Sequence, residues 1–111
     1  MIALDGYNWG TLTEWGIWQD FADIFEDGYD IVKSLSSKPL MIGEIGCTEF
    51  GGDKAAWINN MFSILQSRFE RIKAIIWFDV DKECDWRICS SNSALNAFRS
   101  KAQEFFTKYS D

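Results

Sequence analysis

Short apolar runs alternate along the chain with longer stretches in which large apolar residues recur every three to four positions. The runs IALD at 2–5, PLMIGE at 39–44 and AIIWF at 74–78 predict three β-strands. Each is near-continuously hydrophobic, the pattern of a parallel strand covered on both faces. Between the first two, Trp18, Phe21, Phe25, Val32 and Leu35 approach helical spacing. Gly28 falls inside that stretch, so two short helices are as good a reading as one kinked helix. Asp53 can cap a second helix that buries Ile58, Phe62, Leu65 and Phe69. Ser91 to Ser93 offer caps for a third, whose apolar face is Leu95, Phe98, Ala102, Phe105 and Tyr109. Strand and helix therefore alternate three times, the signature of βα units on a parallel sheet. Neither a Pro-rich or Ser-rich linker nor a low-complexity tract divides residues 1–111, so one domain is expected.

Charge and composition narrow the partners. The chain carries a formal charge of −6 and no histidine, and it lacks the clustered Lys and Arg that phosphate backbones require, so nucleic acid is not an expected partner. The longest apolar run, AIIWF, is far below the roughly 20 residues that span a bilayer, so no membrane partner is expected either. No basic stretch followed by a hydrophobic segment opens the chain, so no secretory signal is read in it. Aromatic residues make up 16%, with six Trp and nine Phe, a content that serves packed cores and sugar-binding surfaces alike. Cys47, Cys84 and Cys89 are too few and odd in number for a disulfide framework. Free thiols are the leading expectation, ahead of a Cys84–Cys89 bridge, and no metal site is expected.

The polar residues are distributed unequally. In parallel α/β folds the loops leaving the C-terminal ends of strands carry function. Here the returning links SLSSK and SRFERIK are short and plain, whereas the outgoing loops DGYNWGTLTEWG, EIGCTEFGGD and DVDKECDWRICSSN hold Asp5, Tyr7, Asn8, Trp9, Glu44, Glu49, Asp79, Asp81, Asp85 and Trp86. Glu44 closes a hydrophobic run and precedes a residue pair, Ile45-Gly46, at which the backbone can turn away. That placement suits a carboxylate aimed into the mouth of a site, although a loop cap or a Lys partner would account for it too. Trp77, inside an apolar strand, reads equally as a core ring or a sugar platform. Trp9, Trp15 and Trp86 lie in polar loops, where ligand contact competes with burial.

Taken together, DGYNWG after the first strand, KPLMIGEIG across the second, GGDKAAWI opening its helix and IKAIIWFDVDKECDWRI across the third resemble the sixth, seventh and eighth βα units of clan A glycoside hydrolases. The resemblance is greatest to family 26, the β-mannanases and their relatives, and it covers nearly the whole chain. It implies a partial (β/α)8 TIM barrel of three parallel βα units. It also implies that Glu44 is the catalytic nucleophile, that Tyr7 hydrogen-bonds and orients it, and that Trp77 forms the sugar platform. Trp9, Trp86 and Asp5 are carried as substrate contacts.

One element of the family pattern is missing. A retaining glycosidase needs a second carboxyl group roughly 5 to 5.5 Å from the nucleophile, and this family takes it from the fourth strand, which would precede Met1. Glu49, Asp79 and Asp5 fall in suitable loops, but nothing in the sequence places any of them at that distance. The expected function is therefore that of a C-terminal fragment of an endo-β-1,4-mannanase-like hydrolase, inactive alone. Its ligand would be a β-linked polysaccharide or oligosaccharide, with no cofactor, and its full-length parent would be extracellular. The alternative is a non-catalytic carbohydrate-binding or self-assembling partial-barrel module. Three strands with open edges predict a homo-oligomer or pairing with a missing N-terminal barrel portion.

Overall fold

The computed structural model describes the backbone of residues 1–109 and the side chains of residues 1–105. Three strands, β1 (Ile2–Asn8), β2 (Leu40–Cys47) and β3 (Ile72–Trp77), alternate with three helices, α1 (Phe21–Leu35), α2 (Lys54–Ser67) and α3 (Asn92–Tyr109). The strands are parallel and stand in the order β1-β2-β3, so the strand bearing Glu44 is central. Consecutive βα units place consecutive strands side by side, as right-handed crossovers require.

Each helix begins where a side chain can satisfy its free amides. Asp20 caps α1 by accepting from the Asp23 amide at 2.9 Å while the Asp23 carboxylate accepts from the Asp20 amide at 3.2 Å, a reciprocal capping box. Asp53 accepts from the Ala56 amide at 3.1 Å ahead of α2, and Ser91 accepts from the Ala94 amide at 3.2 Å ahead of α3. The anticipated break at Gly28 does not occur, and α1 runs unbroken to Leu35. Gly28 sits on the face toward β1, where a Cβ would meet only Leu4 at 3.7 Å, so neither strain nor a turn interrupts the helix.

The helices cover one face of the sheet. Leu40, Ile42, Ile45 and Cys47 of β2 and Ile72 of β3 are buried on that side against Phe21, Phe25, Trp57, Ile58, Met61, Phe62 and Leu65. Phe69 lies just past the end of α2 and is buried nonetheless, edge-on to Phe21 and Tyr29 at 5.1 and 4.8 Å. On α3 the buried positions are Ala94, Ala97, Ala102 and Phe105, with Phe98 partly buried; the side chain of Tyr109 lies outside the described residues. The opposite face differs from the expectation of cover on both sides. Ala3, Asp5, Glu44 and Ile76 are exposed there, and no described helix packs on it. Ala3, Asp5 and Glu44 are small or polar there, whereas Ile76 is an exposed apolar side chain.

Candidate active site

A single irregularity decides where Glu44 points. Strict alternation from Leu40 and Ile42 would place residue 44 on the helical side with them. The β1–β2 register instead steps from Leu4 opposite Ile42 to Asp5 opposite Glu44, leaving Gly43 as an extra residue. The bulge inverts the remaining alternation. Ile45 and Cys47 take the buried side, and Glu44 emerges exposed on the open face. A Cβ at Gly43 would stand 2.9 Å from the Asp5 carboxylate and 3.4 Å from the Ala3 methyl, so a side chain there would displace Asp5.

Tyr7 occupies the same face. Opposite Gly46 in the register, it reaches back along the strands, and its hydroxyl donates to Oε1 of Glu44. Burial, reinforced by the adjacent carboxylate, raises the Tyr7 phenol well above its usual range, so it remains a proton-bearing donor. A Cβ on Gly46 would come within 2.9 Å of the Tyr7 ring and 3.1 Å of Trp86, which explains a glycine at that position. Around Tyr7 stand Phe78 at 5.5 Å, Trp86 at 5.3 Å and Trp9 at 6.2 Å, and Trp9 meets Trp86 edge-on at 4.9 Å. Asp5 is exposed opposite Glu44 on the neighbouring strand.

Two anticipated sugar contacts are placed elsewhere. Trp77 pairs with Ile45 and turns to the helical side, edge-on to Trp57 at 6.2 Å and Phe98 at 6.0 Å. A register shift between Leu40 and Met41 precedes it, so the parity of β3 is not that of an ideal strand, and Phe78 rather than Trp77 faces Tyr7. Trp86 is 0% exposed and presents no surface to a ligand. It is instead the base of the aromatic cluster, with its indole N–H donating to Glu83 at 2.7 Å. Trp9 keeps an exposed ring, and with Thr13, Trp15, Gly16, Ile17 and Gln19 it lines a cleft of about 420 Å³.

The other acidic candidates are committed within their loops. Asp79 accepts from the Ile88 amide at 2.7 Å. Asp85 holds Arg87 through two contacts of 2.8 and 2.9 Å, which lower the Asp85 carboxyl below its usual range. Glu49 accepts from the Ser90 hydroxyl at 2.7 Å. All three cysteines are free, and burial pushes the Cys47 thiol up to about 12. No group of residues arranged to hold a metal is found among the described residues.

The sequence marks Asn8 only as a residue of the first outgoing loop and gives no signal for Lys54. Asn8 accepts from the amides of Gly10 and Gln19 at 3.1 and 3.0 Å, tying both ends of the first loop to the tip of β1. Lys54 is buried at the start of α2 and binds the third loop. A lone Asn and a Lys one residue past a helix cap resemble ordinary surface positions until the loops fold over them.

No family model matches the chain. It is, however, 42% identical over 98 residues to Endoglucanase H of Acetivibrio thermocellus. The chain is related to a segment of a glycoside hydrolase. The match covers 87% of this chain and 11% of that protein, so the chain spans about a tenth of the relative's length.

Proposed function

We propose that this chain is the C-terminal portion, βα units six to eight, of a retaining glycoside hydrolase barrel of the family 26 type, with Glu44 as nucleophile. The observation that carries the reading is the hydrogen bond from Tyr7 to Glu44 on the exposed face of the central strand. A nucleophilic carboxylate must be ionised, oriented and open to the anomeric carbon, and a protonated phenol beside it supplies orientation without competing for the proton. Glu44 would attack the anomeric carbon as the glycosidic C–O bond breaks, giving a glycosyl ester on Oε1 or Oε2. Water would then cleave that ester and return the carboxylate. The acid that protonates the leaving oxygen would come from a βα unit outside these residues, so this chain alone should not turn over substrate. The family resemblance suggests a β-1,4-mannan, and the relative's name adds a glucan as a candidate.

The test joins the chain to the segment that precedes the matched region in the relative and assays hydrolysis of β-mannan and β-glucan. Hydrolysis that falls to background in Glu44→Gln supports the reading; turnover that survives the substitution refutes it. A second reading, a non-catalytic sugar-binding module, draws on Trp15, which is 87% exposed beside Trp9 in the cleft of the first loop. Saturable oligosaccharide binding by the chain alone, lost in Trp15→Ala and unchanged in Glu44→Gln, would favour it.

A further inference from the structure

Lys54 is 1% exposed, yet among the described residues its ammonium donates to no carboxylate. Its ammonium donates to the Trp86 carbonyl at 3.3 Å, the Arg87 carbonyl at 2.9 Å and the Ser90 hydroxyl at 2.8 Å, so all three protons are used. Glu49 and Asp85 act on it through space, and Ser90 in turn donates to Glu49. Two features make this an unfavourable place for a cation. Burial without a contacting anion disfavours the charged form, and the Lys54 pKa is lowered accordingly. The residue is also the first of α2, where the helix dipole favours negative charge. Local helix stability does not explain a lysine there, and its ammonium lies over the Trp77 ring at 5.6 Å. What it does accomplish is to bind three points of the third outgoing loop.

That loop delivers Trp86. Its carbonyl receives both Lys54 and the Trp77 indole N–H, the latter at 2.7 Å, and its ring lies against Tyr7 and Gly46. We infer that Lys54 is a positioning residue: it fastens residues 86–90 to the start of α2, and so holds Trp86 buried behind Tyr7, the donor to Glu44. The chain of contact runs from the ammonium through the Trp86 backbone and ring to the phenol. Only the catalytic consequence rests on the reading of Glu44 as nucleophile; the packing relay stands without it.

The experiment uses the chain labelled with fluorotryptophan or fluorotyrosine and observed by fluorine NMR, with Trp86→Phe and Tyr7→Phe assigning the two signals. In Lys54→Met the Trp86 resonance should gain a solvent isotope shift that it lacks in the parent chain, and the Tyr7 resonance should move. Trp57, buried in the α2 core, should gain none. A lysine that merely stabilises the fold would lower the melting temperature and leave both signals in place, and that result overturns the inference. Ser90→Ala provides the second variant, since it removes one acceptor from an otherwise intact loop. It should shift Trp86 in the same direction and to a smaller extent. If Lys54→Met does not fold, an unshifted Trp86 in Ser90→Ala overturns the inference by itself. In the joined hydrolase the same Lys54 substitution should lower kcat more than it raises KM. Activity that survives Glu44→Gln would remove the catalytic reading while the spectroscopic shifts remain.

Discussion

Glu44 and Trp77 lie on neighbouring strands of one sheet and face opposite sides of it. Glu44 is exposed on the open face, whereas Trp77 is packed between Trp57 and Phe98 among the helices. Packing therefore constrains Trp77 and not Glu44, although both belong to apolar runs in the sequence.

Stability measurements should separate the tryptophans accordingly. Trp77→Ala removes a partly buried ring packed against the helical core and should cost about 2 kcal/mol or more. Trp15→Ala, at a site 87% exposed, should change stability by less than about 0.5 kcal/mol. Urea unfolding of the two variants checks the contrast, and equal costs would mean that Trp77 is not part of the core.

Glycine substitutions should act in opposite directions. Gly28→Ala places a methyl in ordinary contact with Leu4 within an unbroken helix and should stabilise the chain by roughly 0.5 to 1 kcal/mol. Gly46→Ala forces a methyl against Tyr7 and Trp86 and should destabilise it by about 1 to 3 kcal/mol. Thermal denaturation of both variants is a sufficient test.

Cys47 makes stability depend on alkaline pH. Its thiol is held up at about 12 in the folded chain by burial, against an ordinary value of 9.0. The unfolded chain therefore loses this proton first as pH rises, and the Cys47 contribution is complete below pH 9.0 and is lost as pH climbs toward about 12. Relative to Cys47→Ala, the parent chain should lose about 1.4 kcal/mol for each pH unit in that window. Urea midpoints of the two proteins at pH 8 and pH 10 give the comparison, and parallel changes would contradict it.

Each of β1 and β3 pairs along one side only among the described residues, which leaves backbone donors and acceptors at both edges. Isolated in solution, the chain should therefore associate, most simply as a homodimer with two-fold symmetry. Light scattering after size exclusion over a wide concentration range should give a mass above one chain. A constant single-chain mass with a sharp, concentration-independent melt would rule this out.

The βα order, the parallel sheet and the helix caps at Asp53 and Ser91 were legible in the sequence because they depend on local periodicity and on side chains that bond their own neighbours. The strands were read short at β1 and β2, since polar Tyr7-Asn8 and the Gly-bearing end of LMIGEIGC break the apolar run while the backbone continues to pair. Tertiary structure alone decided which side each site residue faces. Side chains alternate with a period of two, so one extra residue at Gly43 sends Glu44 to the open face, and a register shift in β3 helps turn Trp77 away from it. A glycine inside an apolar run is compatible with a bulge, but residue type does not fix the register on either side of it. The same holds for Lys54, Asn8 and Trp86, which are buried because loops distant in sequence close over them, and whose partners exist only once the three βα units lie side by side.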